Sequence, residues 1–217
     1  MEKQSQPCIL INIISKVRIQ LVQAIGRGEH PRLPQVSQNF DTIYIGWKRP
    51  HGDWVKLNCG GAYKESVDIA GCGGLIRDSN GQWLKGYVRK IGTCDALYAE
   101  MWGMYEGLRM ARRQGFSQLV ESDSKLLVDM VTENCKINGV VPVLIRRIRD
   151  LIELPGEVQI NHTLREGNRS ADWLAAYSLT QDSFVPIVLE VPPRELQNIL
   201  FEDIFGVCMP RKVRLIS

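Results

Sequence analysis

The tetrapeptide Asp78-Ser79-Asn80-Gly81 separates two runs that can each form a strand, Ile69 to Arg77 and Gln82 to Ile91. Asn80-Gly81 can supply the positive φ angles that tight turns between antiparallel strands require, so the two runs are expected to form a hairpin. Upstream, Val55, Leu57 and Cys59 alternate with Lys56 and Asn58, the two-residue period of a further strand. Three antiparallel strands in succession therefore open the domain.

The period then changes. Leu97, Glu100, Met101, Met104, Leu108 and Ala111 share one side of a helix over 96–113, and Gly115 stands where that helix would end. Gln118 to Ser122 reads as a short strand. Ser124 can cap a helix running to about Asn134, and Pro142 can start another, closed by Pro155-Gly156. Val158 to Leu164 alternates again, and Arg169 to Leu179 reads as a last helix. The order β-β-β-α-β-α-α-β-α predicts an α/β fold with a mixed sheet and helices on its faces.

The flanks read differently. Residues 1–45 form an extension. Leu10, Ile13, Ile14, Val17 and Leu21 mark a short amphipathic helix over about 9–24, and Gly26 to Pro31 has the composition of a linker. The core domain is expected over 46–182, with 183–217 as a tail carrying an amphipathic stretch from Leu196 to Phe205. The apolar fraction of 44% and the net charge of +3 over 217 residues are those of a soluble globular protein, and permit nucleic-acid binding without demanding it. No run of about 18 apolar residues exists to span a membrane, and no signal peptide is read after Cys8 to Ile14. The expected setting is intracellular, nuclear or cytoplasmic. Glycines 71, 73 and 74 lack the Gly-Lys-Ser/Thr ending of a phosphate loop.

Three acids fall at telling places in this order: Glu100 in Tyr98-Ala99-Glu100-Met101-Trp102, Asp123 in Glu121-Ser122-Asp123-Ser124, and Asp172 in Arg165-Glu166-Gly167-Asn168-Arg169-Ser170-Ala171-Asp172. A carboxylate such as Glu100 on an apolar helix face is costly unless it is paired or coordinating. Asp123 and Asp172, taken alone, are equally readable as acids near helix starts. Together with Leu57-Asn58-Cys59-Gly60-Gly61-Ala62, these segments resemble the ribonuclease H family, and most closely plant domains related to retroelement polyproteins. The resemblance implies metal-assisted hydrolysis of the RNA strand of an RNA–DNA hybrid, with Glu100, Asp123 and Asp172 as catalytic residues holding Mg²⁺, or Mn²⁺, about 4 Å apart in a pair. It also implies that His162 helps proton transfer or product release, unless it is a packed strand histidine. Gly61, Ala62, Ser124 and Asn168 become candidates to touch nucleic acid. Asn168 and Ser124 are also readable as helix caps, and the small residues 61 and 62 as packing positions. The partner implied is an RNA–DNA hybrid or other nucleic acid, bound by a monomer.

One position departs from the family pattern. Members carry Asn-x-Asp-Gly-Ala where this chain has Asn58-Cys59-Gly60-Gly61-Ala62. The missing aspartate removes a charge and two ligand oxygens from a site that must concentrate divalent ions, which predicts a strongly impaired nuclease and weakened metal binding. Three readings stay open: a nuclease working with a reduced ligand set, a binding module without turnover, and a decayed retroelement fragment.

Overall fold

The computed structural model describes residues 40–137 and 139–214. The expected amphipathic helix near 9–24 and the linker that follows it lie outside the described residues. Residues 42–213 form one compact unit. A six-stranded mixed sheet runs through it, built from β2 (Val55–Lys64), β3 (Ile69–Arg77), β4 (Trp83–Gly92), β5 (Gln118–Ser122), β6 (Val158–His162) and β7 (Ile187–Leu189), in the spatial order β6-β5-β2-β3-β4-β7. The pairs β2–β3, β3–β4 and β4–β7 are antiparallel, while β5 runs parallel to both β2 and β6. The five strands and four helices expected between residues 55 and 179 are all present in the expected order.

The opening hairpin differs in detail from its expectation. Only Gly81 takes a positive φ, at 83°, and not Asn80. The Asp78 carboxylate accepts from the amides of Asn80 (2.9 Å) and Gln82 (2.8 Å), holding a longer loop, and the β3–β4 register shifts between Ile76 and Arg77. An aspartate that satisfies the turn's own amides replaces the second positive-φ residue.

The helices α1 (Ala96–Arg113), α2 (Lys125–Val131) and α3 (Val143–Glu153) follow, and then α4 (Arg169–Ser178) and α5 (Gln197–Ile204). Two apolar clusters result. Leu57, Cys59 and Ile76 pack with Met101, Met104 and Leu108 of α1 and with Ile145 and Ile148 of α3. Leu75 and Val88 pack with Ala171 and Leu174 of α4 and with Leu196 and Leu200. Because successive strand residues point to opposite faces, Lys56, Asn58 and Gly60 belong to the α4 side of the sheet. Helix approach explains Gly71 and Gly73 of β3: a Cβ on Gly73 would lie 2.5 Å from the carbonyl carbon of Leu174 and 2.7 Å from the nitrogen of Ala175.

The segment after 182 contributes to this unit. β7 extends the sheet beside β4, Leu196 is fully buried, and β8 (Met209–Arg214) pairs with β1 (Phe40–Ile45) in a separate two-stranded ribbon. Among the described residues no helix is long and apolar enough to cross a membrane.

Candidate active site

Each candidate acid is placed by a different element. Glu100 lies in the first turns of α1, whose start is capped by Asp95 accepting from the Tyr98 amide at 2.7 Å. Asp123 follows the end of β5, and Ser124 behind it caps α2 by accepting from the Leu127 amide. Asp172 lies in the first turn of α4. The parallel β2–β5 pairing brings Cys59 level with Ser122, so the end of β5 lies beside Gly60. α4 crosses the other face there: a Cβ built on Gly60 would meet Asp172 Oδ1 at 3.5 Å and the Ala171 carbonyl carbon at 3.6 Å.

The three carboxylates sense one another. Burial pushes the Glu100 carboxyl up to about 8, with the Asp123 and Asp172 charges adding to it and the Gly61 N–H and Arg165 opposing. Burial pushes Asp172 up to about 6, reinforced by Asp123 and opposed by Arg165. Glu100 Oε2 is buried and has no hydrogen-bond partner. A buried carboxylate oxygen without a donor is costly, and it is the kind of ligand a hard divalent cation takes. In donor chemistry the set therefore fits such a cation. It lacks convergence: among the described residues no group of three His, Cys, Asp or Glu side chains is close enough to hold one ion.

Two of the acids already have partners. Arg165 Nε donates to Asp172 Oδ2 at 2.9 Å while the rest of that arginine is 78% exposed. Asn168 Nδ2 donates to Asp123 Oδ1 at 2.9 Å and to the Cys59 carbonyl at 3.0 Å. Asn168 does not cap α4 through its side chain; it is 1% exposed, and its Oδ1 accepts from Asn58 at 3.1 Å. Asn168 stands at the N-cap of α4 through its backbone carbonyl, which accepts from the Asp172 amide at 3.1 Å, while its side-chain amide is held beneath the sheet edge. Asn58 is equally buried. Its Oδ1 accepts from the Trp47 indole at 2.9 Å and from Arg77 at 3.2 Å, so it is a structural junction and not a ligand in place of the lost aspartate.

Gly61 is demanded by α1. A Cβ there would lie 2.4 Å from the Glu100 nitrogen. Ala62 is half-buried one residue on. His162 is exposed at the end of β6, paired in register with Ser122, and lines a groove with Glu121 and Lys48 rather than joining the carboxylates. Arg165 was not assigned a role from sequence. It opens the Arg165-Glu166-Gly167-Asn168 string, seven residues before Asp172, and begins a short 3-10 turn over Arg165–Gly167.

A family profile described as reverse transcriptase-like matches residues 58–178, which hold all three acids. An Arabidopsis thaliana protein provisionally named a ribonuclease H protein is 35% identical over 176 residues, which is 79% of this chain and 28% of that protein. The chain belongs to the ribonuclease H family. It spans less than a third of the length of that relative. The ribonuclease H1 of Halobacterium salinarum is 25% identical, with a TM-score of 0.52 over 58% of this chain and 96% of its own. The N-terminal ribonuclease H domain of a Mycobacterium tuberculosis protein superposes at TM-score 0.54 with 23% identity, covering 59% of this chain and 94% of that one. LC11 ribonuclease H1, solved in complex with an RNA/DNA hybrid, gives 0.51 at 22% identity over 57% and 95%. The last two likenesses bear on the fold alone, which is the ribonuclease H fold. Ribonucleases H generally use a divalent metal.

Proposed function

We propose that this ribonuclease H domain binds RNA–DNA hybrid across the sheet edge carrying Glu100, Asp123 and Asp172, and retains at most a weak metal-dependent hydrolysis of the RNA strand. The observation that carries the reading is that three acids from separate elements lie near enough for their charges to act on one another, two of them with raised pKa values, and that Glu100 Oε2 is buried without a partner. Perturbed carboxylates at one place mark functional sites more often than structural ones. Glu100, Asp123 and Asp172 would hold Mg²⁺ or Mn²⁺. The metal supplies Lewis acidity that activates water and stabilises the leaving oxygen.

The chain's own residues do the rest. Asn168 holds Asp123 in one orientation through its amide, and Arg165 holds Asp172. The Gly61 N–H hydrogen-bonds to Glu100 and fixes it over the edge. Gly61, Ala62 and Ser124 lie next to the acids and would be the positions nearest the RNA 2′-hydroxyls that a minor groove displays. His162, one strand over, would serve product release at the groove beside the edge.

A second reading, a binding module without turnover, is favoured by the partners that Asp123 and Asp172 already have and by Gly60. The profile description and the Arabidopsis relative support a plant, retroelement-derived origin. The deciding experiment is cleavage of a labelled RNA–DNA hybrid in Mg²⁺ and then Mn²⁺, with Gly60→Asp and Asp123→Asn alongside. Parent activity lost in Asp123→Asn establishes a working reduced site. An inactive parent with hybrid affinity, and activity gained in Gly60→Asp, establishes the binding module. No hybrid affinity in any form sinks both.

A further inference from the structure

A second concavity opens beside the carboxylate edge and contains none of the three acids. Its volume is about 730 Å³, and Tyr44, Lys48, Glu121, His162, Thr163 and Cys208 are in its lining. That volume is in the range of sites that take a nucleotide-sized molecule. One side is the ends of β5 and β6, close to Asp123. The other is β1 with the Gly206–Cys208 turn, outside the span 58–178 shared with the family. The groove is therefore built partly from residues of the family span and partly from segments outside it.

Its construction is firm. Trp47 is 5% exposed, with its indole N–H on Asn58 and the Arg77 guanidinium 3.7 Å from the ring centroid. β1 meets the turn closely enough that a Cβ on Gly46 would lie 2.7 Å from the Val207 carbonyl oxygen. On this base Tyr44 is 70% exposed. Glu121 is the one acid in the lining, and Lys56 neutralises it at 2.6 Å. Among the described residues Lys48 and His162 form no ion pair, so the groove presents an aromatic face with uncompensated donors. An aromatic platform beside a cation is how unpaired nucleic acid is held, the base stacking and the phosphate meeting the charge.

We propose that this groove holds an unpaired nucleotide of a nucleic-acid strand, its base stacked on Tyr44 and its phosphate at Lys48. The proposal rests on the hybrid-binding reading only in taking that strand to continue from a duplex lying on the carboxylate edge. The full chain is titrated by fluorescence anisotropy against single-stranded RNA and single-stranded DNA of about 12 nucleotides, a length such sites cover, and against a blunt RNA–DNA hybrid. The parent binds a single strand. Tyr44→Ala weakens that binding about tenfold and Tyr44→Phe retains it, because stacking needs the ring and not the hydroxyl. Lys48→Ala weakens it and lowers the slope of log K against log[salt] by about 0.7, the loss of one phosphate contact. Blunt-hybrid affinity changes less than twofold in each variant. RNA binding alone, or RNA and DNA alike, sustains the site and tells which strand it takes. Single-strand binding with no affinity for the blunt hybrid overturns the hybrid reading and leaves the groove standing. A parent without single-strand affinity, or a Tyr44→Ala form that binds as the parent does, overturns the groove.

Discussion

At position 60 the backbone leaves room for a side chain, since the nearest atom to a built Cβ is Asp172 Oδ1 at 3.5 Å. The glycine is thus not required by packing, and Gly60→Asp is expected to fold. Its carboxylate would lie against Asp172 and beside Glu100, so without metal the variant should melt a few degrees below the parent. Mg²⁺ should then raise its melting temperature by clearly more than it raises the parent's. Equal metal-induced shifts in the two proteins would show that position 60 is not a ligand position. Glu100 gives a second prediction. Its folded pKa, about 8, lies above the ordinary carboxylate value. The folded state therefore holds the proton more tightly than the unfolded one, and stability falls as pH rises from about 4.5 to 8, then levels. Glu100→Gln removes that dependence. In chelator its melting temperature should match the parent's near pH 4.5 and exceed it by roughly 10 °C at pH 8.5; a constant difference across the range would refute the assignment. The three acids were legible in the sequence because family strings flank each one. The duties of Asn58 and Asn168 were not, because an amide's partners lie 110 residues apart in sequence and only packing joins them.

At the scale of elements, legibility followed periodicity. α1 and β5 begin and end where the pattern placed them, and for α1 the apolar spacing and the terminal glycine agree. β1, β7 and β8 were not legible: β7 has three residues, and β1 is exposed along most of its length, so neither carries a buried period to read. The glycines of β3 were visible as residues but not as contacts. The structure makes Gly71 and Gly73 part of the surface on which α4 lies, and this yields a contrast between two alanine substitutions. Gly73→Ala forces a methyl to within 2.5 Å of α4 backbone, which cannot yield as a flexible side chain would. It should cost about 1–3 kcal/mol or more, read as a lower urea midpoint at constant slope. Gly60→Ala, whose Cβ meets only ordinary contacts, should stay within about 0.5–1 kcal/mol of the parent. Similar losses in both would mean that α4 does not lie on β3 as described.

Over the whole molecule, a buried polar chain ties the last helix to the carboxylate edge. Asp203 of α5 accepts from Arg77 at 2.7 Å and from Ser170 at 3.0 Å; Arg77 donates to Asn58, Asn58 to Asn168, and Asn168 to Asp123. Arg77 is 1% exposed, and burial lowers its pKa even with Asp203 beside it. Sequence patterning gave no sign of this, because charged residues on an alternating strand are expected to face water, and the acid that neutralises Arg77 lies 126 residues further on. The consequence reaches the boundary read at residue 182: a chain ending there would lose Asp203, Leu196 and β7 together, and should fail to give a cooperative melt. Asp203→Ala isolates the electrostatic part. It leaves a guanidinium buried and unpaired, which costs about 3–5 kcal/mol. Arg77→Met combined with Asp203→Leu removes both charges and should recover much of that loss, since apolar replacement of a buried pair is often near neutral. Recovery should stop short of complete, because Arg77 also donates to Asn58 and packs on Trp47. A double variant no more stable than Asp203→Ala would place the cost in α5 packing instead of the charge pair, and hybrid affinity measured on the same proteins would then report whether Asp123 depends on this chain for its position.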